Sequence, residues 1–169
     1  MAGIRQLLDL GINLKFDLVG EGPERQRLTY TIHDLGLNDH VTLHGRLPQE
    51  KIREILQNSD VYLSSSVSEG ISNAVLEAMS CGLPVVTTEC GGMREAVTNG
   101  SEGLIVPVRD SNAICLALAK LAGDNAMRSA MGIRARKTAI EQFNIKNQIK
   151  SFDQFFRDVA GCGLRPAAA

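Results

Sequence analysis

A chain of 169 residues with 18 Lys and Arg against 19 Asp and Glu, interspersed, offers neither the basic field that nucleic acid requires nor a polybasic patch for a membrane surface. Apolar residues make up 44% and charged residues 22%, with no low-complexity tract, so the chain can bury one core and reads as globular.

Ile4, Leu7, Leu8 and Leu10 recur at helical spacing and stop at Gly11, after which Leu14 to Val19 reads as a buried strand. From there helices and strands alternate: a helix over 23–36, a strand over 41–44, a helix over 48–58, a strand over 61–65, a helix over 72–81 and a strand over 84–88. A short helix near 92–98, a strand over 104–106 and helices over 110–122, 125–142 and 145–160 complete the pattern. Continuous apolar strands such as Val61-Tyr62-Leu63 and Leu83-Pro84-Val85-Val86-Thr87 need cover on both faces. The expected fold is therefore α/β: a doubly wound, Rossmann-like parallel sheet with helices on both faces. Residues 1–160 form one domain, and 161–169, aperiodic and ending in three alanines, form a disordered or cloning-derived tail.

Cys81, Cys90, Cys115 and Cys162 have no paired spacing, which argues against a zinc knuckle or a disulfide framework and for a reducing cytoplasm. No Asp-x-Asp pair suggests a metal. No apolar run approaches the ~20 residues that cross a bilayer, and Met1 is not followed by a leader pattern.

The chemistry concentrates in Ser68 to Pro84, which joins one strand to the next. Ser72 suits an N-cap, and Gly82-Leu83-Pro84 suits a stop. The helix between them starts at the carboxyl end of a strand, where doubly wound sheets bind ligands and where free N–H groups favour a phosphate. Glu69 precedes this helix. Glu77, eight positions on, shares a polar stripe with Asn73 and Ser80, leaving Ala74, Val75, Ala78 and Cys81 as the apolar side. Two carboxylates flanking one helix N-terminus suit the paired hydroxyls of a sugar and a ribose. Each acid alone also fits a solvated surface.

Glu69-x7-Glu77 inside EGISNAVLEAMSCGLPVV resembles the signature of the retaining GT-B glycosyltransferases of family four, also called glycosyl transferases group 1. LVGEGPE at 18–24, VTLHGRLPQEKI at 41–52, SDVYLSSS at 59–66, GGMREAV at 91–97 and GLIVPVRD at 103–110 are similar in the same register. The resemblance implies that Glu69 bonds the donor sugar, that Glu77 bonds the ribose, and that backbone N–H groups around Gly70, Ile71, Ser72 and Asn73 meet the pyrophosphate or sugar. Gly70-Ile71-Ser72 replaces the Gly-Phe-Gly that is common in the family, which implies a different sugar pocket. The Gly45-Arg46-Leu47 turn resembles the segment that meets the nucleotide base, and a plain strand-to-helix turn explains it equally well. Gly20 and Gly22 match a glycine-rich loop near the nucleotide, for which a tight turn is the plain alternative. His44, at a strand end, reads as a satisfied structural histidine; Glu95 resembles the acid of a Gly-Gly-x-x-Glu motif or caps a helix.

The resemblance also implies parts not found in this sequence. A complete donor domain of the family opens with a strand and a Gly-Arg-Leu…Lys-Gly loop that clamps the pyrophosphate, and an acceptor-binding half precedes it. In the usual strand order 3-2-1-4-5-6 the lacking strand is the central one. The expectation is then two bare strand edges that recruit a second copy, a homodimer, unless the strands close up. The implied activity is retaining, hexosyltransferase-type transfer from a nucleotide-sugar, a UDP-sugar or GDP-mannose, to a saccharide or lipid acceptor, without cofactor or metal. It would serve polysaccharide, lipopolysaccharide or glycolipid synthesis in the cytoplasm or at the inner face of the membrane. Glu69 would be its catalytic-site positioner, and this chain alone would be inactive. The alternatives are a non-catalytic nucleotide-sugar module acting with a partner chain, and a sugar-nucleotide epimerase, for which three scattered histidines are a poor basis.

Overall fold

The computed structural model describes residues 1–161. Helices and strands alternate through α1 (Ala2–Asp9), β1 (Phe16–Val19), α2 (Arg25–Asp34), β2 (Val41–Gly45), α3 (Gln49–Gln57), β3 (Tyr62–Ser64) and α4 (Asn73–Ser80). There follow β4 (Val85–Thr88), α5 (Met93–Ala96), β5 (Gly103–Val106), α6 (Ser111–Gly123), α7 (Asn125–Gln142) and α8 (Ile145–Gly161). Every expected element forms. Gly161, assigned to the tail from sequence, instead closes α8; the remainder of that tail lies outside the described residues.

All strand pairs are parallel, and they form two sheets, β1-β2 and β3-β4-β5. Neither β1 nor β3 pairs with the other, so the strands do not close up. The hydrophobic core divides at the same place. Ile4, Ile32, Leu37 and Val41 form one cluster with Phe16 and Leu43, covering a single face of β1-β2 with α1 and α2. Asp17 and Thr42, paired across these strands, lie on the uncovered face.

The three-stranded sheet is covered on both faces. Val85 and Val86 are neighbours on β4 and point to opposite sides. Val85 packs with Val75 and Met79 of α4, Met93 and Ala96 of α5, and Ala135 and Ala139 of α7. Val86 packs with Ala117 and Leu121 of α6 and with Met131. A strand buried on both faces has no solvent side, which is why Val85 and Val86 stand next to each other and Thr87 and Thr88 are buried as well. The two sheets are joined by packing of α1 on α6. No helix among the described residues is long and apolar enough to cross a membrane.

Candidate functional site

The loop and helix singled out by the sequence lie after β3. Ser72 occupies the N-cap of α4 in an extended conformation, but its hydroxyl makes no capping bond, unlike Asp110 and Asp124, whose carboxylates accept from Ala113 N and Met127 N. The Ser72 side chain is instead buried, and among the described residues no side chain bonds the first N–H groups of α4. The positive end of the helix dipole is left open at the carboxyl end of β3. At its other end α4 is tied down, since Arg136 donates to the Ser80 carbonyl at 2.6 Å.

The apolar side of α4 differs from the expected one. Val75, Ala78 and Met79 are buried, whereas Ala74 is exposed. The helix is turned toward Met79, a large side chain that fills the core where alanine would leave a void. Asn73 and Ser80 stay exposed as expected, while Glu77 is half-buried and accepts from Gln49 Nε2 at 3.4 Å. Glu69 lies exposed in the preceding loop and accepts from Ser66 Oγ at 2.9 Å. The two acids share a neighbour in Tyr62, whose phenol is pushed up first by burial and then by the charges of Glu69 and Glu77.

Gly20 and Gly45 meet at the carboxyl ends of β1 and β2, where Gly20 N donates to the Gly45 carbonyl at 2.9 Å. Gly20 and Gly22 line a cleft of about 210 Å³ with Leu18, Arg25 and Leu43. Gly45 faces the Glu21–Arg25 ion pair; a Cβ there would lie 3.1 Å from Glu21 Oε2. Arg46 is exposed and makes no ion pair among the described residues, and Leu47 is half-buried. This turn leads directly into α3, whose first residue is Gln49. The helix that follows the Gly45-Arg46-Leu47 turn therefore reaches Glu77 through Gln49.

His44 sits at a bulge between β1 and β2, and its Nε2 lies 2.6 Å from Asp17 Oδ1. Glu95 is in the first turn of the short α5, with its carboxylate beside Gly92. Among the described residues no group of three or more His, Cys, Asp or Glu is placed to hold a metal ion.

Four residues near these acids escaped the sequence reading: Gln49, Tyr62, Thr88 and Gly91. Gln49 and Tyr62 sit in segments already flagged for other reasons, and only the fold brings them to the acids. Thr88 ends β4, is 1% exposed, and donates from its hydroxyl to the Ser66 carbonyl. Gly91 has φ +50°, and a Cβ on it would fall 1.5 Å from the Glu69 carbonyl oxygen.

Residues 3–138 match the family model described as glycosyl transferases group 1. The chain is 31% identical over 148 residues to the N-acetyl-alpha-D-glucosaminyl L-malate synthase of Bacillus anthracis, covering 88% of this chain and 38% of that protein. It is 32% identical over 160 residues to the putative colanic acid biosynthesis glycosyltransferase WcaL of Salmonella typhimurium, covering 89% of this chain and 39% of that one. The fold superimposes on the crystal structure of Anabaena HepE in complex with UDP at a TM-score of 0.85, with 21% identity, covering 93% of this chain and 43% of that one. The chain thus spans about two fifths of the length of these relatives. Its alternating α/β architecture with parallel strands is that of the GT-B glycosyltransferases. With the match running from α1 into α7, through both glycine turns and the Glu69–Glu77 helix, the chain belongs to the glycosyl transferases group 1 family.

Proposed function

We propose that this chain binds the nucleotide-sugar donor of a retaining, hexosyltransferase-type glycosyl transfer. The observation that carries this reading is that Glu69 and Glu77 both lie near Tyr62 around the helix α4 whose N-terminus is uncapped by Ser72, with Gln49 reaching Glu77. The diphosphate lies against the first N–H groups of α4, around Gly70 to Asn73. Glu77 accepts from the ribose hydroxyls, with Gln49 as its lateral support. Glu69 accepts from the sugar hydroxyls and positions the anomeric carbon, and the Gly45-Arg46-Leu47 turn, with Gly20 and Gly22 next to it, borders the base. Preorganised N–H dipoles stabilise the charge that develops on the departing diphosphate, so this reading invokes no metal or other cofactor.

The acceptor is a saccharide or a lipid, and the colanic acid biosynthesis printed for WcaL favours a saccharide in surface-polymer synthesis. HepE structures hold UDP and UDP-glucose, so UDP-sugars stand beside GDP-mannose as donor candidates. An acceptor-binding half completes the enzyme, working in the cytoplasm or at the inner face of the membrane, and the present chain is inactive without it. The bare edges of β1 and β3 also suit a second reading, a nucleotide-sugar module that works through a partner chain. Adding a separately made acceptor half separates the two, since transfer activity appears only under the first.

Calorimetric titration of Glu69→Gln and Glu77→Gln tests the site. Each change is expected to weaken nucleotide-sugar binding by about 1.5–3 kcal/mol, the range of a charge-assisted hydrogen bond, or about ten- to a hundredfold. Glu77→Gln weakens the free nucleotide as well, because the ribose is common to both ligands, whereas Glu69→Gln weakens the nucleotide-sugar alone. Negligible effects from both substitutions in a chain that still binds would make the acids solvated surface.

A further inference from the structure

We propose that Thr88 is a positioning residue for Glu69, acting from the neighbouring strand through Ser66. This inference rests on the donor-site reading above. Glu69 lies in an exposed loop five residues beyond β3, and its partner Ser66 sits in the same loop. The restraint comes from β4. Thr88, at the carboxyl end of that strand, is fully enclosed, and its hydroxyl donates to the Ser66 carbonyl. Ser66 in turn donates from its own hydroxyl to Glu69 Oε2 at 2.9 Å. The Thr88 oxygen also lies 3.8 Å from Cys90 Sγ, a weaker acceptor than a carbonyl, so the single hydroxyl proton belongs to Ser66.

The turn after β4 completes the support. Gly91 brings its backbone so close to the Glu69 carbonyl that a Cβ would fall 1.5 Å from that oxygen and 2.7 Å from its carbon. Gly92 packs next to it, with a Cβ there 3.1 Å from Ile71 Cγ1. The loop is thus held at the Ser66 carbonyl by Thr88 and met at the Glu69 carbonyl by Gly91, while Ser66 Oγ bonds the Glu69 carboxylate. One Glu69 oxygen accepts from Ser66, and the other, without a hydrogen bond among the described residues, is left for a sugar hydroxyl.

Thr88→Val removes the donor with little change of shape, and Thr88→Ser restores it. The probes are UDP with UDP-glucose and GDP with GDP-mannose, titrated calorimetrically against the full chain. Thr88→Val is expected to weaken the nucleotide-sugar about tenfold, the loss of one well-aligned hydrogen bond. It should leave the free nucleotide within about twofold, the scatter of independent sites. Thr88→Ser returns the affinity to that of the parent chain, and in a Glu69→Gln background Thr88→Val has no further effect. Equal weakening of nucleotide and nucleotide-sugar, an unchanged nucleotide-sugar affinity, or full additivity with Glu69→Gln would each overturn the proposal while leaving the donor site standing. A parent chain that binds neither pair sinks the donor reading and this inference with it. If Thr88→Val does not fold, Ser66→Ala cuts the same link at the Glu69 end and is read against the same outcomes.

Discussion

Glu102 shows how much of this molecule rests on single polar groups inside it. The residue, just before β5, is 8% exposed, and its carboxylate accepts from Thr98 N and Thr138 Oγ1, both at 2.9 Å. Burial pushes its carboxyl up, but the hydrogen bonds from Thr98, Thr138 and Ser101 outweigh that and hold it below the usual carboxylate range. A depressed folded value means that the stabilisation is complete above the unfolded carboxyl pKa, about 4.3. It is lost as pH falls through the folded value. Glu102→Gln should cost about 1–3 kcal/mol near neutrality, because Thr138 or Thr98 loses a charged acceptor. It should also flatten stability against pH below about 5 in urea-melt series. An unchanged acid limb would show that Glu102 does not contribute. The carboxylate that matters here was not legible in the sequence, where Ser101-Glu102-Gly103 reads as an ordinary turn. Glu69 and Glu77 could be picked out as candidates because they flank one helix start. Gln49 and Thr88 could not, since they reach those acids from 28 and, through Ser66, 22 positions away.

At the scale of elements, Gly11 was read as the stop of α1, whereas the extended Pro48 before α3 and the Asp110 and Asp124 carboxylates that cap α6 and α7 are seen in the structure. The rotation of α4 was less legible, because Ala74 and Met79 compete for the core and only packing decides between them. Helix–helix approach was invisible for the same reason. Gly132 on α7 sits against the turn after α4, where a Cβ would lie 2.1 Å from the Gly82 carbonyl oxygen. Backbone cannot give way as a side-chain tip can, so Gly132→Ala should overpack this contact at a cost of about 1–3 kcal/mol. At about 2–4 °C per kcal/mol for a chain of this size, calorimetric melting should show a drop of at least about 2 °C. An unaltered Tm would mean that α7 does not press on α4. Since α4 carries Glu77 and the open N-terminus, the same substitution is expected to weaken nucleotide binding as well.

At the scale of the whole molecule, the split between β1-β2 and β3-β4-β5 is the feature with the widest consequences. The alternation of elements predicted one parallel sheet, and no local pattern marks where it divides; the division was foreseen only through the family resemblance. Two bare edges and the exposed strip Ile145, Ile149, Phe152, Phe156 and Val159 along α8 are surfaces that an isolated chain tends to cover with another. Light scattering is expected to give a dimer, and a strict monomer across the micromolar range would contradict that. The central claim, that a nucleotide-sugar donor is the ligand, is tested most directly by thermal shift of the unmodified chain against UDP, GDP, UDP-glucose and GDP-mannose. A ligand at a hundred times its Kd stabilises the native state by about 2.7 kcal/mol, enough to raise Tm by about 5 °C or more. One nucleotide series is expected to raise Tm, with its sugar adduct at least as effective as the free nucleotide. No shift with any of the four at millimolar concentration would contradict the donor-site assignment.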